Sequence, residues 1–590
     1  GIDRVAGLAA LAAPLDLALR LEGTSGPDGT ALTGALRGFA GGAEVSSDVG
    51  FTGRVDDPTH GTFRISTRLA GDKAAPGLVR LFGGGAAAGP LAIDLSATGR
   101  PVDGLKVSAS ARVGATSAGV EGTARLAADA PAKLDGRVRL ATPDATVLGA
   151  LIGRPILAFE RRLPIDLTAL VAGTWPKLEV GEISGRLGET AVRGGGRLDL
   201  GARPAVVDGR LELDRLDLEA AAEALLGGAV AADGTDAKAI YATTPLLGAP
   251  FEGAVVGRLA LSVDRASLGE AGLDRLRTRL VVAPGETRLE AIEAGHAGGR
   301  VAGELALRRS GDGVSGLTGR LGLDGASLTD LVWRRAGRPI ASGRLDAEAS
   351  FTSSGRTAAA LVAGLGGEGR VALRDARVIG LSGEALAATR VALGESQPTP
   401  EGVEKLFRAH LDASETGLPR TDIAFAVQAG VARSGRLVIE TPSARLTGRV
   451  TLDLTRLTID ADGSMEPAGA ALEATKTAIS KATPSVGFAF RGPIATPERI
   501  LDVAPLVAHL TLAGIEREVE KVETLQQDIA ERARLARERR RLEEMRAAEE
   551  TARREAEAKR LADEAAAKRE AEAKRAAEEA AAKREAEAKR

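Results

Sequence analysis

The chain has 590 residues, of which 44% are hydrophobic and 27% charged, a balance that excludes global disorder. Its 78 basic and 80 acidic side chains nearly cancel, so no electrostatic footprint for nucleic acid or an anionic membrane surface follows. Cysteine is absent, which excludes disulfides, thiolate metal sites and cysteine nucleophiles; with aromatics at only 2%, any core must be built from Leu, Val, Ile and Ala.

No run of apolar residues is long enough to cross a bilayer as a helix. The start, Gly1-Ile2-Asp3, has neither an initiator Met nor a signal-peptide pattern, and is read as the beginning of a piece of a longer protein.

From the N-terminus onward the chain reads as strands. A glycine, usually followed by arginine, opens a period-2 run at Gly136-Arg137-Val138-Arg139-Leu140, Gly196-Arg197-Leu198-Asp199-Leu200 and Gly209-Arg210-Leu211-Glu212-Leu213. The same pattern returns at Gly319-Arg320-Leu321-Gly322-Leu323, Gly369-Arg370-Val371-Ala372-Leu373 and Gly448-Arg449-Val450-Thr451-Leu452. Alternation places Leu and Val on one face and charged or hydroxyl side chains on the other, the pattern of antiparallel sheet with one dry face. The glycines are expected to supply turns.

Some strands lead into a short helix. Thr142-Pro143-Asp144 reads as an N-cap and first turn, with Val147, Leu148, Leu151 and Ile152 at helical spacing before Gly153. Gly209 leads similarly through Leu218, Ala222, Leu225 and Leu226 to Gly227, and Gly319 through Ser327, Leu328, Leu331 and Val332 to Gly337. A looser copy runs from Gly61 to the 78–83 segment. The opening glycines lie 75, 73 and 110 residues apart, so the body is a degenerate repeat of strands plus one short helix.

Residues 516–590 differ. They hold 21 basic and 21 acidic side chains and no Gly, Pro or aromatic, and Arg553–Arg560 recurs at a 15-residue period. Strong helix formers and Glu-to-Lys pairs at i,i+4 predict one long helix. Only its start has an apolar stripe, at Ile515, Val519, Val522, Leu525 and Ile529. It reads as a solvated rod, with a spacer or partner-binding role as the functional alternative.

No catalytic constellation is found. Four histidines, His60, His296, His410 and His509, lie far apart, and no H-E-x-x-H, G-x-S-x-G or phosphate-loop pattern occurs. Gly311-Asp312-Gly313-Val314-Ser315-Gly316 matches a dinucleotide fingerprint in letters only: Leu317 to Leu321 continue as strand, so a hairpin turn is expected. Asp460-Ala461-Asp462-Gly463 lacks the ligand series of a calcium loop and is read as a turn. The reading is therefore of a non-enzyme, with no catalytic, metal-binding or cofactor-binding residue assigned and no nucleic-acid partner.

The ordered series Val207–Leu218, Leu317–Val332, Pro339–Phe351, Leu365–Val371, Leu446–Leu454 and Val486–Val503 resembles the C-terminal region of the AsmA family of bacterial envelope proteins. The resemblance covers roughly residues 1–530. It implies a periplasmic protein anchored to the inner membrane by a segment outside this chain. It also implies an elongated, curved, groove-like β-sheet that carries phospholipid acyl chains and supports outer-membrane biogenesis. The charged repeat has no counterpart in the family pattern.

The resulting expectation is a mainly β chain with three regions: an N-terminal β-rich repeat region (1–130), an AsmA-like β-groove (131–515) and a charged, coiled-coil-like helical tail (516–590). Independently of the family, a sheet whose apolar face is not covered by helices or a second sheet leaves a lipid-sized groove. Val138, Leu140, Leu211, Leu213, Val371, Leu373, Val450 and Leu452 are the candidate lining residues, with an ordinary sandwich core as the alternative for each. The partners expected are phospholipids and, for the tail helix, an envelope protein. The competing function is a non-transporting scaffold for outer-membrane protein assembly. A sugar-binding solenoid is disfavoured by the scarcity of aromatics and by the interleaved helices.

Overall fold

The structure, a computed structural model, describes residues 15–26, 29–40, 42–72, 90–145, 163–232, 234, 239–248, 253–335, 337–394, 397–475 and 483–588. They divide into two units. One is drawn from Gly1–Ala392, Pro400–Thr475 and Pro484–Pro505, the other from Leu393–Thr399, Lys476–Thr483 and Leu506–Arg590.

The first unit is dominated by strands. In chain order they are β1 (Leu15–Gly26), β2 (Gly29–Ala40), β3 (Ala43–Gly53), β4 (Thr62–Gly71), β5 (Leu91–Arg100), β6 (Gly104–Val113), β7 (Thr116–Ala127), β8 (Ala130–Thr142), β9 (Ile165–Thr174) and β10 (Lys177–Leu187). There follow β11 (Thr190–Asp199), β12 (Ala205–Asp217), β13 (Val255–Leu268), β14 (Ala271–Ala283), β15 (Glu286–His296), β16 (Gly299–Arg309), β17 (Ser315–Ser327), β18 (Arg334–Arg335), β19 (Arg338–Pro339) and β20 (Ala341–Gly355). The series ends with β21 (Gly366–Ile379), β22 (Glu415–Gly417), β23 (Thr421–Gln428), β24 (Val431–Ser434), β25 (Leu437–Glu440), β26 (Ala444–Asp453), β27 (Thr458–Pro467), β28 (Val486–Pro493) and β29 (Glu498–Asp502). Among the described residues the α-helices are α1 (Leu218–Leu226), α2 (Leu328–Leu331), α3 (Ala358–Ala363), α4 (Glu384–Leu393), α5 (Pro400–Ala413), α6 (Gly469–Thr475) and α7 (Ala504–Glu587), the last belonging from Leu506 onward to the second unit.

Apart from the small β18–β19 hairpin, the strands form one 27-stranded sheet. Chain neighbours pair from β1 to β17; β17 pairs with β20, β20 with β21, and β21 with β23. β22 and β23 lie along the same edge of β21, and β24 and β25 along the same edge of β26, so each couple acts as one interrupted strand. The sheet is continuous through residue 130, where β8 begins. Among the described pairs only β12–β13 is parallel, and parallel neighbours require a crossover.

That crossover begins with α1. The Asp217 carboxylate accepts from the Glu219 and Ala220 amides, and Gly227, at φ 67°, closes the helix in the left-handed region, as the sequence grammar predicts. Further along, the Leu246 amide donates to the Arg356 carbonyl at 2.8 Å, and the Leu247 amide to the Gly227 carbonyl at 3.0 Å. The crossover thus ties the end of α1, which follows β12, to the turn after β20.

The glycines do not sit where the sequence pattern puts them. Gly136, Gly196, Gly209, Gly319, Gly369 and Gly448 are interior residues of β8, β11, β12, β17, β21 and β26, and the strands extend well upstream of them. Being two and four residues from Leu or Val, they share the apolar face. Their role is close approach rather than turning: a Cβ on Gly122 would stand 2.5 Å from the Gly136 Cα on the neighbouring strand. Gly257, at φ +143°, is closed to other residues because a Cβ there would overlap the Val207 carbonyl.

Bulges shift the phase of several strands. Glu182, Arg275, Ala291 and Asp375 have φ near +50°, and the register slips beside each. The apolar residues shift with them: Leu276 and Leu273 flank the bulge in β14, and Leu289 and Ile292 that in β15. A strict period-2 reading breaks there.

Other expectations resolve individually. Gly311–Val314 lies in the β16–β17 hairpin connection, and Ser315 and Gly316 already open β17. Asp460–Gly463 is not a turn: it lies inside β27, with Asp462 opposite Arg449, because Ile459, Ala461 and Gly463 continue the apolar alternation. The helix after Leu321 has only four residues, α2. The helical stretch at 147–153 and the 78–83 segment lie outside the described residues. The long helix begins at Ala504, before residue 516, because Leu506, His509, Leu510 and Ala513 in its first turns are buried. Every described residue from 518 onward is exposed.

Two outcomes follow. Gly257→Ala is expected to cost about 1–3 kcal/mol in urea unfolding through forced backbone strain, whereas Gly272→Ala, with nothing within 4 Å of its Cβ, should be close to neutral. Deleting residues 546–590 should leave the thermal midpoint of the sheet unchanged by circular dichroism; a large drop would show that the rod contributes to it.

Candidate functional site

Residues directly opposite each other in adjacent strands project from the same face, so the register identifies which side chains form a common surface. One rung crosses 24 strands. It runs Leu21, Gly34, Val49, Ile65, Ala97, Val107, Gly122, Gly136, Val171, Val180, Gly196 and Gly209. It continues through Leu259, Leu280, Leu289, Leu305, Gly319, Phe351, Gly367, Val427, Ala432, Leu452, Ile459 and Gly492. Every member is apolar or glycine. At about 4.8 Å per strand, the rung measures roughly 110 Å along the sheet.

Parallel rungs broaden this line into a band. One follows Gly23, Leu32, Phe51, Phe63, Gly99 and Leu105 and reaches Leu317 with Thr287 as its single polar member. Another passes from Leu17 through Val45, Leu69, Ile93, Leu140, Leu167, Val192, Leu213 and Val263 to Leu276 without a polar residue. Between them lies Leu19, Leu36, Ser47, Thr67, Leu95, Ala109, Val120 and Val138, where the two hydroxyls satisfy one another at 2.8 Å. Four rungs make a band about 20 Å wide.

One residue along each strand the chemistry reverses, as in Glu22, Thr33, Gly50, Arg64, Thr98, Lys106, Thr123 and Asp135. Cross-strand ion pairs such as Arg37–Asp48, Arg68–Asp94, Arg308–Glu286 and Arg370–Glu348 line this second face and explain the near-zero charge. At Asp346 burial works to raise the carboxyl, but the Gly325 amide at 2.7 Å and the Arg374 guanidinium outweigh it and hold the group below the usual range. A concavity of about 1000 Å³ between β15 and β21 also belongs to this wet face, its lining including Arg288, Glu290, Glu304, Arg308, Arg320 and Glu368.

The apolar band is covered unevenly. Leu19 and Leu21 are 63% and 68% exposed, and most of the long rung is half-buried. A packed cluster around Val192, Leu213, Val263, Leu276 and Ile292 takes in Leu218 of α1. Most of the largest fully buried side chains lie after residue 380, among them Leu386, Val403, Phe407, Met465 and Val486, where α4 and α5 contribute to the core.

All eight sequence-predicted lining residues fall on the apolar face. Val138 and Leu140 occupy adjacent rungs, and Leu452 belongs to the long one. Leu211 lies opposite Leu261, Val371 opposite Ile423, Leu373 opposite Leu345 and Val450 opposite Ala461. Seven are half-buried; Leu213, at 9% exposure, is a core residue of the packed cluster. The pattern missed the glycines of this face and the buried guanidinium of Arg499. Arg499 lies opposite Phe490 in β29, which is too short for alternation to reveal its face.

Among the described residues no three His, Cys, Asp or Glu side chains are grouped to hold a metal, and no helix is long and apolar enough to cross a membrane. No family model, curated protein or solved structure matches the chain.

The division between core and lining residues is testable by urea unfolding. Leu213→Asp should cost about 3–5 kcal/mol by burying an unpaired charge. Val138→Asp should cost no more than about 1 kcal/mol, because its site is half-open to water.

Proposed function

We propose that this chain is an AsmA-type periplasmic lipid conduit, in which the apolar band holds phospholipid acyl chains and passes them along the sheet during outer-membrane biogenesis. In this reading the full protein is held at the inner membrane by a segment outside the chain. The observation that carries the proposal is the unbroken apolar rung. A closed sandwich needs a local core, whereas a surface 24 strands long that never interrupts its apolar character suits a ligand that moves along it.

The band is also read as the inside of a curved groove. On a flat sheet a Cβ on Gly122 would clear the opposite backbone, and the end of α1 after β12 would not meet the turn after β20, six strand positions away. Both features fit a sheet bent toward its apolar side. Transfer of an acyl chain into the band gains about 0.8 kcal/mol per buried CH₂. This requires no reactive residue and no defined contact, so a lipid can slide from one rung to the next without breaking a specific bond.

A second reading, a non-transporting scaffold, is favoured by the exposed stripe Ile515, Val519, Val522, Leu525 and Ile529 on α7, which fits an envelope protein partner. Quantifying lipid extracted from the full chain, purified after periplasmic expression, separates the two. The conduit reading expects several phospholipids per chain. It further expects Val120→Asp combined with Val138→Asp, which sets two charges opposite each other in one rung, to slow lipid transfer between vesicles several-fold while the fold is retained. A folded, lipid-free chain that accepts no labelled lipid would favour the scaffold.

A further inference from the structure

At β28 and β29 the apolar band ends in a group of charges. Arg499 projects beside Phe490, its cross-strand partner, and its side chain is 6% exposed. Its Nη2 donates to Asp412 of α5 at 2.8 Å, and Arg335 of the β18–β19 hairpin donates to the same carboxylate oxygen at 3.2 Å. The Nε and Nη1 atoms of Arg499 have no hydrogen-bond partner.

Two guanidinium groups converge here on one backbone cradle. Gly380, at φ +89°, carries no side chain, and a Cβ there would stand 3.0 Å from Nη1 of Arg499 and 3.6 Å from Nη1 of Arg335. Burial, followed by the nearby Arg335 charge, pushes the Arg499 guanidinium below its ordinary value, and Arg408 acts in the same direction. Arg408 is itself paired with Glu404 at 2.6 Å. Three guanidiniums therefore meet two carboxylates, leaving a net positive charge with two buried donors unmet. A buried cation in that condition is stabilised by an anion.

We infer that Arg499 and Arg335, over Gly380, form a seat for a phosphate-type anion at the β29 end of the apolar band, so that an amphiphile with its tail in the band places its phosphate there. Guanidinium is suited to the task because its planar fork matches phosphate oxygens two at a time and keeps its charge when buried. This deepens the lipid reading above and rests on it for the tail. Trp333, 6.0 Å from the Phe490 ring, is a nearby reporter.

The test uses the full chain carrying Trp175→Phe, which leaves Trp333 as the remaining tryptophan of two. Fluorescence titrations use dodecyl phosphate, dodecyl maltoside and inorganic phosphate, with the amphiphiles below their micelle thresholds. The wild-type chain should bind dodecyl phosphate at least tenfold tighter than dodecyl maltoside. Arg499→Met, and separately the more exposed Arg335→Met, should abolish that preference without changing maltoside affinity. Competition by inorganic phosphate alone would identify free phosphate as the ligand; competition only by the alkyl phosphate identifies a lipid headgroup. Equal affinity for the two amphiphiles in the wild-type chain overturns the seat and leaves the lipid band standing. Arg499-dependent phosphate binding with no maltoside binding keeps the seat and overturns the band.

Discussion

The structure depends on keeping apolar side chains and glycines in register across every strand of a very wide sheet. Since the side-chain period of a strand is two, a slip of one residue anywhere would carry Arg, Glu or Thr into the band and Leu or Val onto the wet face. The chain holds register in two ways. Cross-strand ion pairs such as Arg37–Asp48 and Arg370–Glu348 lock neighbours on one face. On the other, large apolar residues lie over glycines: built Cβ atoms on Gly319 would run into Leu305 at 2.5 Å and Phe351 at 2.7 Å, and one on Gly463 into Phe488 at 2.7 Å. A single exposed ion pair contributes little, about 0–1 kcal/mol; specificity comes from repetition along the sheet.

That division of labour shapes the apolar face. Side chains that would fill a closed core are replaced by glycine at intervals along the band, thinning its surface without adding polarity. Near the N-terminal edge Leu17, Leu19 and Leu21 remain open to solvent, whereas beyond residue 380 Phe407, Leu386 and Val403 are fully buried. The apolar face is therefore most open at its N-terminal edge, while the long rung stays half-buried at Val427, Leu452 and Ile459.

Much of this was legible in the sequence. The Gly-Arg-Leu-x-Leu runs identify the two faces and placed all eight candidate lining residues on the apolar one, and α1 ends at Gly227 as its sequence predicts. The role of the glycines was not legible, because a glycine two residues before a leucine reads equally as a turn or as a member of the dry face; only the partner strand decides. The bulges at Glu182, Arg275, Ala291 and Asp375 hide alternation that is present on both sides of them. Asp460–Gly463 looked like a turn because its letters are turn letters, yet its pairing with Gly448–Thr451 makes it strand. Leu213 reads like Leu211, and only the packing of Val192, Val263 and Leu276 around it makes it core. Arg499 was invisible because its site is assembled from a strand, a helix and a hairpin far apart in the chain.

If the proposed conduit operates, the long apolar rung touches lipid along its length. Photo-crosslinking in living Gram-negative cells tests this most directly, with a benzoylphenylalanine placed singly at Leu21, Val107, Val171 or Leu289 on the rung and at Arg64 or Arg137 on the opposite face. The account predicts phospholipid adducts at all four rung positions and none at the two arginine positions. Adducts absent from the rung, or equally abundant on both faces, would contradict it.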